Sequence, residues 1–165
     1  VAPKKAKARR RHRRLSAAKA LHGNTLFALL LDFQFIEEAL KRYLHWAYAI
    51  TRKRTEGILP CKLDRSEVEK FSFGRLIDEF EKFSDDASLV KELRDLVQHR
   101  NYCAHRAFME LAQLKAPVAE RHAEAKRLLD VRKRVRSAGD RLIAHLDRVR
   151  RIAHSPQQER PAAAK

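Results

Sequence analysis

Glycine and proline are scarce in this chain of 165 residues, four and five respectively. Hairpins and tight turns draw heavily on both residues, so their scarcity speaks against a fold built from many short strands. Cysteine is nearly absent as well: Cys61 and Cys103 make no disulfide scaffold. No segment resembles a secretory h-region, and the expected setting is a reducing, cytoplasmic one. Nor does any apolar run approach the roughly 20 residues of a membrane span, so no membrane partner is expected. What fills the chain instead is Leu, Ala, Lys, Arg and Glu, a composition that favours helix. The expected fold is all-α, a four- to five-helix bundle with a disordered basic N-terminal arm, and the length suffices for one core without disulfides.

Acidic residues are missing from residues 1–14, which hold eight Lys or Arg, Arg9, Arg10, Arg11, Arg13 and Arg14 among them. Residues 15–114 carry fifteen bases and fifteen acids, and residues 115–165 carry fourteen bases against six acids. The net charge of +16 therefore belongs to an arm and a C-terminal region, the distribution of an electrostatic footprint for a polyanion. By charge alone the arm could contact RNA, DNA or a membrane. The arm, 1–20, has almost nothing apolar to bury and is expected to be disordered.

Gly23-Asn24-Thr25 reads as a stop followed by a cap, after which a helix is expected over 26–52. Leu26, Leu29, Phe33, Ile36, Leu40 and Leu44 form its core stripe, while Phe27, Leu31 and Phe35 widen that stripe. A helix apolar over so much of its circumference is central, or serves a core on one side and a partner on the other. After a connection at 55–60, a second helix is expected from Asp64 or Ser66 to Phe83, with Phe71, Phe73, Phe80 and Phe83 marking dense packing. Ser84-Asp85-Asp86 breaks the pattern. A third helix runs from Ala87 through Arg100 and His105, its period kept up by Phe108, Leu111 and Leu114. Pro117 opens a fourth, to about Ile152, with Ser137-Ala138-Gly139 as the place for a bend; its apolar stripe is narrow and its flanks are arginine-rich. Residues 156–165 are a polar tail, leaving 21–155 as the helical domain.

One arginine is out of place. Leu89, Leu93, Leu96 and Ala104 recur at helical spacing, and Arg100 falls on the same stripe, where its five N–H donors need carbonyls, carboxylates, water or a phosphate. Arg-x-x-x-x-His occurs twice, as Arg94 to His99 and as Arg100-Asn101 to His105. Arg94 lies on the polar flank, so the pair Arg100 and His105 is the candidate. His99, Cys103 and His105 form no complete metal set, for no fourth ligand is evident and Cys61 stands alone; Cys103 reads as a packing residue.

A helical bundle whose third helix carries Arg100-Asn101-x-x-x-His105, after Ser72-Phe73-Gly74-Arg75-Leu76-Ile77 on the previous helix, resembles the HEPN superfamily (higher eukaryotes and prokaryotes nucleotide-binding domains) over roughly 25–152. Many of its members are metal-independent endoribonucleases, often toxins or antiviral abortive-infection effectors, and others are non-catalytic binding modules. The resemblance implies RNA cleavage by 2′-hydroxyl attack at a cleft between two protomers, with Arg100, Asn101 and His105 as catalytic residues. With RNA as substrate, the arm together with Arg132, Lys133, Arg134 and Arg136 is the candidate RNA-binding surface. It implies no metal and no cofactor, and it admits an antitoxin or other regulatory protein as partner. His and Arg suffice for that chemistry: an imidazole moves protons near neutral pH, and a guanidinium steadies the phosphorane. Where toxins silenced by nucleotide transfer carry a Tyr two residues past the His, this chain has Ala107. On an ideal α-helix, moreover, a spacing of five sets Arg100 and His105 about 140° apart, so convergence requires a distorted helix or a second chain.

Overall fold

The computed structural model describes residues 2–58, 65–107, 109 and 117–155; the side chains at 2–8, 11, 65 and 106 lie outside that description. The polar tail and Phe108, Leu111 and Leu114 fall outside it too. The fold is an all-α helical bundle: α1 (Ala2–Thr55), α2 (Arg65–Val68), α3 (Phe73–Glu81), α4 (Ala87–Tyr102), a π-helical turn (Cys103–Ala107) and α5 (Val118–His154).

Helix α1 overturns the expected stop and the expected disordered arm, for it runs unbroken through Gly23-Asn24 from Ala2 onward. Two physical reasons account for this. Lys, Arg and Ala, which dominate the first four turns, are strong helix formers. Further on, Ala18, His22 and Thr25 are buried, so tertiary packing holds the helix across its weakest residue. Thr25 spends its hydroxyl inside the helix, Oγ1 donating to the Leu21 carbonyl at 2.8 Å rather than capping a new start.

The second predicted helix is split. Val68 ends α2, Phe71 turns its ring into the core, and Ser72 starts α3 afresh by accepting the Arg75 N–H. Asp86 caps α4 as the Ser84-Asp85-Asp86 break implied, accepting the Leu89 N–H at 2.9 Å. Helix α5 continues through Gly139 without interruption, and Pro117 sits just before its first turn.

Contacts between the helices fix their directions. Asp32 meets Arg132 and Arg136, Ile36 faces Gly139, and Trp46 meets His154, so α1 and α5 run parallel along their shared length. Helix α3 follows α1, through Phe33–Phe73, Tyr43–Phe80 and Tyr48–Phe83 ring contacts. Helix α4 runs the other way: Asp86 and Glu92 bind Arg141, while Tyr102 reaches Glu124. Leu29, Phe33, Ile36, Leu40, Phe80, Leu93, Leu96, Leu128 and Leu142 form the core between them. Among the described residues no helix is long and apolar enough to cross a membrane.

Candidate functional site

Helix α4 delivers Arg100 and Asn101 in its last turn, and the π turn delivers His105. A π turn closes hydrogen bonds from i to i+5 and takes more residues per revolution than an α turn. Two consequences appear at once. Cys103 and Ala107 become the buried positions while Ala104, expected on the core stripe, is exposed. Only the end of the interval from Arg100 to His105 lies in the π turn, so the angle between the two side chains is smaller than on an ideal α-helix but is not closed.

Arg100 is not a core residue; its side chain is 31% exposed at the bundle's edge. Its Nε donates to Glu37 Oε1 of α1 at 2.9 Å. A carboxylate thus answers part of the donor requirement, and the two Nη groups, four of the five N–H donors, have no partner among the described residues. Asn101 and His105 are exposed. No hydrogen bond joins Arg100, Asn101 and His105 to one another among the described residues, so within one protomer the three are neighbours in chain rather than a preassembled cluster.

The neighbouring groups have defined roles. Arg94, of the other Arg-x-x-x-x-His pair, clamps α3 to α4 through Asp78 at 3.1 Å and Glu81 at 2.7 Å. Cys103 is fully buried, and burial pushes its thiol up to about 11, which removes it as a nucleophile at neutral pH. Ala107, in the position of the modified Tyr, is buried as well. His99 is half-buried, and burial together with the charges of Arg134 and Arg127 lowers its pKa. Glu124 accepts from Tyr102 and from both sides of the Arg127 guanidinium, tying the end of α4 to α5.

The candidate RNA-binding bases divide into two groups. Arg9, Arg10, Arg13 and Arg14 are exposed on the first turns of α1, and the side chain of Arg11 lies outside the described residues. Those on α5 have internal partners: Arg132 reaches Asp32 at 2.6 Å, Arg136 the same carboxylate at 3.2 Å, Lys133 Asp130 at 3.0 Å, and Arg134 approaches Asp95 at 4.0 Å. Arg132 is half-buried, so its charge serves the α1–α5 seam first. Sequence separation hid the pairs with Asp32, Asp32 and Arg132 being 100 residues apart, whereas Lys133–Asp130 is a local pair three residues apart.

An apolar stripe went unassigned by the core. Phe27, Leu31 and Phe35 repeat every four residues along α1 and are 60%, 49% and 54% exposed. The sequence signal for it was the excess width of the apolar face. Comparison with family models, curated proteins and solved structures returned no match.

Proposed function

We propose that the chain is a metal-independent endoribonuclease of the HEPN type that works as a homodimer, Arg100 and Asn101 holding the scissile phosphate and His105 moving protons. The observation that carries this reading is the π turn at Cys103–Ala107, a helix distortion at the motif that needed one. His105 is exposed, and Arg100 keeps its Nη donors for a phosphate.

A second copy supplies what one protomer lacks. Phe27, Leu31 and Phe35 offer on the order of 300 Å² of apolar surface, the size of patch that on a monomer is often functional. Because α4 runs against α1 and Arg100 meets Glu37, His105 stands level with about residue 32 of α1. A two-fold axis near Leu31 would set both motifs at one height, flanking the stripe, since Glu37 lies about 120° round α1 from Leu31. In such a cleft one imidazole takes the 2′-hydroxyl proton, O2′ bonds to phosphorus, and the 5′-oxygen leaves with a proton from the partner's His105. The products are a 2′,3′-cyclic phosphate and a 5′-hydroxyl. A role as a toxin or antiviral effector, with an antitoxin or other regulator, rests on the resemblance alone.

Purified protein should cleave single-stranded RNA in EDTA, and Arg100→Ala and His105→Ala should each lower the rate by about 100-fold or more. Undiminished cleavage by both variants sinks the assignment. The Arg100–Glu37 ion pair favours a second reading, a non-catalytic helical module binding nucleic acid or a partner protein, in which Arg100 is a structural clamp. That reading predicts binding of RNA or protein with no cleavage, and loss of stability in Arg100→Ala.

A further inference from the structure

Because α1 and α5 run parallel, they end at the same end of the bundle, and each brings bases there. Arg42 and Lys53 are exposed on α1, and Arg150 and Arg151 are exposed on α5. Unlike the bases in the middle of α5, these four make no ion pair among the described residues. Arg150, Arg151, His154 and Asp147 line a cleft of about 640 Å³. Asp147 is its acid; the Asp147 carbonyl accepts from Arg151 Nε at 3.3 Å. His154 is held in place, Nδ1 donating to the Arg150 carbonyl at 2.7 Å, and its ring lies 5.0 Å from that of Trp46.

The helix dipole alone does not account for this cluster. Its attraction for cations fades within the last turn, and Arg42 and Arg150 precede the last turns of their helices. Three of the four bases are arginines, whose planar fork meets two oxygens of one phosphate. Through His154, which lines the cleft with Arg150 and Arg151, the site reaches the Trp46 indole, and cations along a backbone path next to an aromatic ring are what single-stranded nucleic acid requires. A lipid surface would need several apolar side chains to insert beside the bases; Ile152 lies about 160° round α5 from Arg150, which leaves Ile58, just past α1, as a single exposed one.

We propose that this cleft, with Arg42, Lys53, Arg150, Arg151 and Trp46, binds the phosphodiester backbone of a single-stranded polynucleotide, as a site separate from the Arg100–His105 motif. Trp46 is the one tryptophan of the chain, so its emission reports on this end alone. The intact protein is titrated with a 2′-O-methylated RNA 20-mer, which has no free 2′-hydroxyl and so gives the same answer whether or not the chain cleaves RNA. The 20-mer should change Trp46 emission with saturation. Arg150→Glu/Arg151→Glu should weaken binding at least tenfold at low salt and reduce the slope of log K against log salt by about 1.4, near 0.7 for each phosphate no longer neutralised. Lys91→Glu/Lys126→Glu, the same charge change on exposed positions elsewhere, should weaken it less than threefold. Arg150→Gln/Arg151→Gln, with helicity checked by circular dichroism, repeats the test with no acid introduced. Silent Trp46 emission, equal losses in the two Glu variants, unchanged affinity in the Gln variant, or tighter binding to phosphatidylserine vesicles than to the 20-mer each overturns the proposal.

Discussion

Asp86 serves several partners at once. Its carboxylate accepts the Leu89 N–H that opens α4, takes Arg141 Nη2 on both oxygens at 2.7 and 2.8 Å, and lies 3.3 Å from His145 Nε2. The capping N–H of Leu89, followed by Arg141 and Ser88, holds the carboxyl well below the usual carboxylate range. Asp86→Ala removes a cap and leaves Arg141 with only Glu92 and the Ser88 hydroxyl, so unfolding should become easier by about 2–3 kcal/mol in urea denaturation. On the acid side the pH dependence follows from His99 and from three lowered carboxylates, Asp86, Glu79 and Glu124. His99, lowered by burial, contributes its stability above the ordinary histidine value of 6.5 and loses it as pH falls below that value. Asp86 contributes fully above the ordinary 3.8 and loses its share as pH falls further, toward its depressed value. Thermal unfolding should therefore lose ground on the acid side in two stages, and His99→Gln should remove the earlier one.

Gly139 faces α1 across the α1–α5 seam. A Cβ there would sit 3.7 Å from Phe35 Cε1 and 3.8 Å from Ile36 Cγ1, ordinary contact distances. Gly139→Ala should thus gain helix propensity without a clash and raise stability by up to about 1 kcal/mol, whereas Gly139→Leu should prise the helices apart and lower the melting temperature. How far such an element could be read in the chain depends on where its physics lies. The core stripes of α1, α4 and α5 were legible because burial imposes its period on the residues themselves, and the break at Ser84-Asp85-Asp86 because its chemistry is local. Gly23-Asn24 misled because packing of Ala18, His22 and Thr25 outweighs one weak residue. The break before Ser72 was obscured by Phe71 and Phe73, apolar on both sides of it. The π turn left no local mark at all: Cys103-Ala104-His105 reads as helix, and the shift of burial from Ala104 to Ala107 follows from tertiary contact. The candidate site was legible as residue types in Arg100, Asn101 and His105, but not the carboxylate of Glu37, 63 residues away.

Charge and apolar surface divide the molecule into zones. Internal pairs quiet the bases along the middle of α5, while exposed cations stand at Arg9, Arg10, Arg13 and Arg14 and at the shared helix ends, about 60 Å apart along α1. Between them lies the Phe27–Leu31–Phe35 stripe, where a second copy meets the least electrostatic repulsion. A stable interface buries about 800 Å² per partner, so the stripe would form its apolar centre and the flanking Gln34 and Glu38 its rim. Leu31 is half exposed and its replacement costs the core little, which makes Leu31→Glu a test of association rather than of folding. Sedimentation equilibrium at micromolar concentration should give a dimer for the native chain and a monomer for Leu31→Glu, with helicity unchanged. RNA cleavage should fall with the dimer, because each protomer carries one Arg100 and one His105 and the cleft needs both pairs. A monomeric native chain, or a Leu31→Glu variant that cleaves as fast as the native one, would separate the motif from the stripe and leave His105 acting within a single protomer.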